Sequence, residues 1–286
     1  MPADSPDRPI VVGVDSSESA LHAVRWAAVA AALRGSPLHL VFAVPPIAAA
    51  GPDESPVRLL HDRLRETAQA ALDSAVQIAR HTADRPLADI STFVVDAPAV
   101  PALSELAATA HYLVVGVRGM SAYHRSLLGS VSTGVAREAA GPIVIVPPDP
   151  LALADRPIVA GVDGSPHSAR ALEFAFDEAA RRAVPLIVVH AWELSGDSDT
   201  HTHADAVGLL AGMLAPNLAA HPRVDVKSVV VEGHPARVLA EATADAQLLM
   251  IGSHGTRGYP GMALGSTGHA LLHGTEVPIA IIRPRR

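Results

Sequence analysis

The chain contains no cysteine and a single lysine, Lys227. The first absence excludes disulfides, thiolate nucleophiles and Cys-ligated zinc. The second excludes a Walker-type P-loop, whose Gly-Lys-Ser/Thr must reach the outer phosphates of a nucleotide; no Gly-Lys pair exists here. Any phosphate has to be met by backbone amides, hydroxyls, arginine, histidine or a divalent cation. Aromatic residues are 3% of the 286 and no basic stripe interleaves with them, so at a formal charge of −7 no nucleic-acid partner is expected. No apolar run approaches a membrane span, and the start, Met1 to Asp7, is polar and acidic rather than signal-like. The expectation is a cytoplasmic protein without a membrane partner. A Gly-x-Ser-x-Gly elbow, a His-Glu-x-x-His helix and a carboxylate pair at catalytic spacing are also missing, so no catalytic residue is nominated.

What is present is apolar punctuation. Arg8-Pro9-Ile10-Val11-Val12-Gly13-Val14-Asp15-Ser16-Ser17 reads as a buried strand ending in a capping turn. A helix to about Arg34 follows, with Leu21, Val24, Ala28 and Ala31 on one face, and Gly35-Ser36-Pro37 stops it. Leu38 to Val44 is a second strand, Val57 to His81 a long helix, Ile90 to Val95 a third strand and Pro98 to Ala110 a shorter helix. Tyr112 to Val115 is a fourth strand, and Ile143 to Val146 closes the unit between breakers. Strands alternating with helices predict a parallel sheet covered on both faces.

The pattern then restarts. Arg156-Pro157-Ile158-Val159-Ala160-Gly161-Val162-Asp163-Gly164-Ser165 restates Arg8 to Ser17 at an offset of 148, whereas Gly116 and Gly252 are 136 apart. The missing residues fall between strands two and four, which predicts a longer loop there in the first half. The chain is a tandem duplication, with domains over 1–148 and 156–286 and a linker near Pro147 to Asp155.

Each half carries the same loop. Gly116-Val117-Arg118-Gly119, nine residues, then Gly129-Ser130 recurs as Gly252-Ser253-His254-Gly255, nine residues, then Gly265-Ser266. A strand, a glycine-bearing loop and a helix start describe an anion cradle. Glycine lets the backbone approach a ligand, and the helix N-terminus offers free N–H groups and a positive dipole end. In an open parallel sheet ligands sit beyond the strand ends where the winding reverses. With the order 3-2-1-4-5, Gly13 and Asp15 converge on the Gly116 loop, and Gly161 and Asp163 on the Gly252 loop. Asp15 and Asp163 also suit the capping of the helices that follow them. The run Asp197, Asp199, His201, His203, Asp205 is read as a solvated loop rather than a metal site.

Together these residues resemble the universal stress protein family. The resemblance rests on Val-Gly-Val-Asp at strand one and Gly-x2-Gly-x9-Gly-Ser in both halves, and it covers almost the whole chain. It implies two tandem flavodoxin-like (Rossmann-like) α/β domains of five parallel strands each. It also implies pairing of the two halves through their last strands, a possible homodimer, and stress-linked regulation through an unknown protein partner. Tandem members are typical of actinobacteria, some tied to hypoxia and dormancy. Members with the signature bind ATP, so the implied cofactors are ATP and Mg2+, with slow ATP hydrolysis or autophosphorylation as the alternative activity. By family position, Gly13 and Asp15 lie at the nucleotide and Val44 borders the adenine. Gly116, Val117, Arg118, Gly119, Met120, Ser121 and Ala122 wrap the ribose and phosphates, and Gly129, Ser130 and Ser132 hold the outer phosphates. In the second half the corresponding set is Gly161, Asp163 and Trp192, then Gly252, Ser253, His254, Gly255, Thr256, Arg257 and Gly258, then Gly265, Ser266 and Thr267. The halves differ: Arg118 becomes His254 and Ser132 becomes Gly268. The second site is therefore expected to be the more pH-sensitive.

Overall fold

Prolines mark where the strands begin. A proline lacks the N–H that a ladder needs but keeps its carbonyl, and here that carbonyl starts the pairing of the next strand. Ile10 N donates to Pro37 O (2.8 Å), Leu113 N to Pro142 O (2.9 Å), Ile158 N to Pro185 O (2.9 Å) and Leu249 N to Pro278 O (2.9 Å). The computed structural model describes residues 8–47, 55–117, 128–148, 155–193, 202–256 and 264–283. The chain divides into two compact units, Met1–Asp149 and Pro150–Arg286.

In the first unit the elements run β1 (Ile10–Gly13), α1 (Glu18–Arg34), β2 (Leu38–Ala43), α2 (Ser55–Thr82), β3 (Ile90–Val95), α3 (Ala99–Ala107), β4 (Tyr112–Gly116), α4 (Ser130–Glu138) and β5 (Ile143–Val146). The strands are ordered β3-β2-β1-β4-β5 and every pair is parallel. The second unit repeats this with β6 (Ile158–Val162), α5 (Pro166–Arg182), β7 (Leu186–Trp192), α6 (His203–Ala220), β8 (Val226–Glu232), α7 (Pro235–Ala242), β9 (Leu248–Gly252), α8 (Ser266–Gly274) and β10 (Ile279–Ile282). Its order is β8-β7-β6-β9-β10, again parallel. Both match the expected 3-2-1-4-5 winding. Right-handed crossovers place α1 and α2 together on one side and α3 and α4 together on the other, with α5 and α6, and α7 and α8, as their counterparts.

The Val/Ile/Leu runs of β1, β4, β5 and β10 are buried on both faces, whereas β3 and β8 are half-buried to exposed. Helix α1 lies close against the sheet because its buried face is mostly alanine, around Val24 and Trp26. Leu21, expected on that face, is only half-buried; the core stripe instead runs through Ala20, Ala23, Val24, Ala27 and Ala31. The extra length of the first half is also placed differently from expectation. Helix α2 has 28 residues and its counterpart α6 has 18, so most of the insertion extends a helix rather than a loop. Its stripe of Ala68, Leu72, Ala75 and Ala79 buries one face of the C-terminal half, whereas the N-terminal turns contain no buried residue and expose Leu59 and Leu60.

Candidate functional site

Each unit reverses its winding beside its first strand, between β1 and β4 and between β6 and β9. In the second unit a cavity of about 820 Å³ opens there. It is lined by Gly161 and Asp163 at the end of β6, Trp192 at the end of β7, Gly252 to Thr256 after β9, and Gly265 to Thr267 at the start of α8. These are the described members of the set expected for this half. Arg257 and Gly258 lie outside the described residues, as do Arg118 to Ala122 in the first unit and the spacer residues Tyr123, His124, Arg125 and Tyr259.

Hydrogen bonds tie the cavity walls together. Asp163 Oδ1 accepts from Ser165 N (3.1 Å) and its Oδ2 accepts from Thr256 N across the crevice (2.8 Å). The helix cap is not the aspartate but the serine two residues on: Ser165 Oγ accepts from Ser168 N (3.1 Å), and Ser17 Oγ from Ala20 N (3.1 Å). Asp15 Oδ1 accepts from Ser17 N (3.2 Å) and from its hydroxyl, so each aspartate buttresses a cap. Burial opposes ionisation of Asp163, but hydrogen bonds from Ser165, Thr256 and Ser168 outweigh it and hold its pKa below the ordinary carboxylate value.

The glycine loops are pinched shut at their bases. Gly129 N donates to Val117 O (2.8 Å) and Gly265 N to Ser253 O (2.8 Å). Each pinch delivers the chain to a helix whose N-cap is a glycine with no side-chain cap, Gly129 for α4 and Gly265 for α8. The first N–H groups of those helices therefore face the crevice without a capping oxygen. Helices α1, α5 and α6, in contrast, are capped by Ser17, Ser165 and Thr202. In α6 the cap is a full capping box between Thr202 and Asp205, so the described end of the acidic and histidine run starts a helix rather than a loop.

The glycines serve different ends. A Cβ on Gly116 would run into the Ser19 carbonyl and hydroxyl, and one on Gly252 would lie 2.7 Å from His167 C. Both make room for the helix after strand one, not for a ligand. Gly265 does face the cradle. Its Cβ would sit 3.6 to 3.9 Å from Ser253 O, His254 Cα and Gly255 N, in ordinary contact with the opposite wall.

Two further expected residues have committed groups. Ser132 is buried, and its hydroxyl lies 2.8 Å from Val117 O and 3.0 Å from Gly129 O, bracing the pinch from inside. Val44 is also buried, and its N–H donates to Val95 O (2.8 Å). The second unit has a glycine, Gly268, in place of Ser132, and a Cβ there would meet Leu264 Cδ1 at 2.9 Å.

Several lining or neighbouring residues were not foreseen. His167 Nδ1 is 2.8 Å from Ser253 Oγ, which is 3.1 Å from His254 Nδ1, and the two rings stand 5.1 Å apart. Burial, the neighbouring His254 and the charge of Arg283 lower the His167 pKa against the opposing pull of Asp163. His190 and His234 also line the cavity, as do Leu239 and Leu209. Carrying the 148-residue offset past Asp163 pairs His167 with Ser19 and His190 with Phe42, a signal already present in the sequence. No group of three or more His, Asp or Glu among the described residues is arranged to hold a metal ion.

The chain has relatives among known proteins. The chain matches the universal stress protein family over residues 7–147 and again over 156–283. It is 38% identical over 285 residues to the Mycobacterium tuberculosis universal stress protein Rv2005c, covering 96% of each chain. A universal stress protein of Mycolicibacterium smegmatis is 36% identical, covering 96% of this chain and 97% of that one. A universal stress protein of Archaeoglobus fulgidus has the same fold with a TM-score of 0.72 at 20% identity, over 96% of this chain and 98% of that one. The chain belongs to the universal stress protein family, with two tandem family domains.

Proposed function

We propose that each unit binds ATP together with Mg2+, and that the protein acts in the cytoplasm as a nucleotide-dependent regulator of a stress response, hypoxia and dormancy included, through a protein partner. The observation that carries this reading is the repeated cradle. In both units a loop pinched at its base leads into a helix started by glycine, with free N–H groups at the switch point of the sheet. A cavity of about 820 Å³ falls within the size range of small-molecule sites. Its described lining contains no lysine or arginine, so within it phosphate oxygens are met by amides and by Ser266 and Thr267, with a cation and Arg257 as sources of positive charge. With Asp163 already engaged by loop amides, Mg2+ would be held chiefly by the phosphates. Calorimetric titration with MgATP tests the proposal: two equivalents bound per chain are expected, and heats indistinguishable from dilution would refute it.

A second reading, slow phosphoryl transfer onto the protein, draws on one contact. Ser253 Oγ is hydrogen-bonded to His167 Nδ1 at the start of the cradle. Attack of Oγ on the γ-phosphorus would break its bond to ADP and pass the hydroxyl proton to His167. Label from [γ-32P]ATP that stays on the wild type and is absent from Ser253→Ala would favour it; no label on either excludes it.

A further inference from the structure

The parallel order β7-β6-β9 sets the direction in which a nucleotide lies across the second unit. Neighbouring strands are about 4.8 Å apart, so the end of β7 is about 10 Å from the end of β9. The cradle of Gly252 to Thr256 and Gly265 to Thr267 belongs to the β9 side, and the cavity reaches Val189 to Glu193 at the end of β7. Resting on the nucleotide reading above, phosphates held at α8 leave the base at β7.

At that end stands His190. It is 8% exposed and its Nδ1 is 2.8 Å from Val162 O. A carbonyl oxygen only accepts, so Nδ1 carries a proton, which in the uncharged tautomer leaves Nε2 as the acceptor. Among the described residues the ring makes no other hydrogen bond, and it forms part of the cavity wall. The carboxylates of Glu193 and Asp205 line the same end. Asp205 is engaged in the capping box of α6, so the groups this end offers a base are the His190 Nε2 acceptor and the buried Trp192 indole N–H, which has no hydrogen-bond partner among the described residues. The first unit has Phe42 at the same position, paired with Val94 as His190 is with Val230. A phenyl ring has nothing to accept with.

We propose that His190 is a specificity residue that accepts a hydrogen bond from the exocyclic amino group of adenine, so that the second unit selects an aminopurine nucleotide while the first does not. Purine riboside 5′-triphosphate is the probe, because it replaces the amino group of ATP by hydrogen and keeps the rest. Both nucleotides, with Mg2+, are titrated calorimetrically into the full chain, into His190→Phe and into Phe42→His. In the wild type one site binds both nucleotides alike and the other binds the probe about 10- to 100-fold more weakly than ATP. His190→Phe abolishes the difference, and Phe42→His creates a second discriminating site. Two wild-type sites that hold ATP and the probe with equal affinity overturn the proposal, as does discrimination that survives in His190→Phe. If His190→Phe does not fold, the wild-type and Phe42→His titrations still decide. Binding of neither nucleotide to the wild type is a different failure, because it removes the nucleotide reading itself.

Discussion

Gly252 and Gly265 stand on opposite sides of one cradle, and the structure predicts opposite consequences for the same substitution. At Gly252 an added Cβ would lie 2.7 Å from His167 C, 2.8 Å from His167 Cβ and 2.8 Å from Ser168 N. Those atoms form the first turn of α5, which the Ser165 cap fixes in place, so they have little freedom to retreat. Overpacking of this kind costs about 1–3 kcal/mol, and Gly252→Ala should lower the stability of the second unit by that amount. At Gly265 φ is −69° and ψ is 160°, a conformation open to any residue, and the nearest atom to a new Cβ is 3.6 Å away. Gly265→Ala should leave stability within about 1 kcal/mol of wild type, because the restriction placed on the unfolded chain favours alanine. The new methyl, however, projects toward Ser253 O, His254 Cα and Gly255 N, into the space where a phosphate would meet the amides of α8. ATP binding at the second unit should weaken at least about tenfold, the equivalent of one or two charge-assisted hydrogen bonds. Urea unfolding gives the first quantity and equilibrium dialysis the second. A Gly265→Ala protein that binds ATP with wild-type stoichiometry and affinity would place the phosphates elsewhere. An unchanged unfolding midpoint for Gly252→Ala would refute the packing role of that glycine.

Three other outcomes follow from the packing and the charges. Glu178 and Arg182 form an ion pair at 2.9 Å with side chains only 2% and 7% exposed, and Arg182 also donates to Gln247; Glu178→Ala should destabilise the second unit by about 3–5 kcal/mol in denaturant titration, since it strands a buried charge. Ala183 closes α5 in the left-handed region at φ 56°, where the first unit has Gly35 at φ 66°; Ala183→Gly should add about 1 kcal/mol, and Gly35→Ala should remove about as much. The folded pKa of His167 is lowered, chiefly by burial, so the unfolded chain binds more protons just below the ordinary value. Its contribution is therefore complete above about pH 6.5 and is lost as the pH falls through the lower folded value. Replacing it by the Ser19 equivalent, His167→Ser, should flatten the pH dependence of stability in that window, where His39, also lowered by burial, continues to act.

Much of this was legible in the sequence because it depends on local rules. Prolines before Ile10, Leu38, Ile143 and Ile158 fix strand starts, and continuous apolar runs between them can only be strands buried on both faces. The repeat of Gly252 to Ser266 on Gly116 to Ser130 located both loops before any contact was known. What escaped depends on partners distant in the chain. Nothing near Gly116 indicates that Ser19 blocks its Cβ. Nothing near Asp163 indicates that Thr256 donates to it across the crevice. The aspartates resembled caps because Asp and Ser compete for the same role, and only the backbone geometry at Ser17 and Ser165 assigns it. His190 was passed over as one residue in an apolar strand, since its significance lies in a hydrogen bond to Val162, 28 positions away.

Nucleotide occupancy of the two cradles decides what the protein does. The most direct measurement is to denature protein purified in its folded state, separate the released small molecules by chromatography, and identify and count them by mass. Intact ATP approaching two equivalents per chain is the predicted result. Release of no nucleotide, together with none taken up after incubation with ATP and Mg2+, would contradict it.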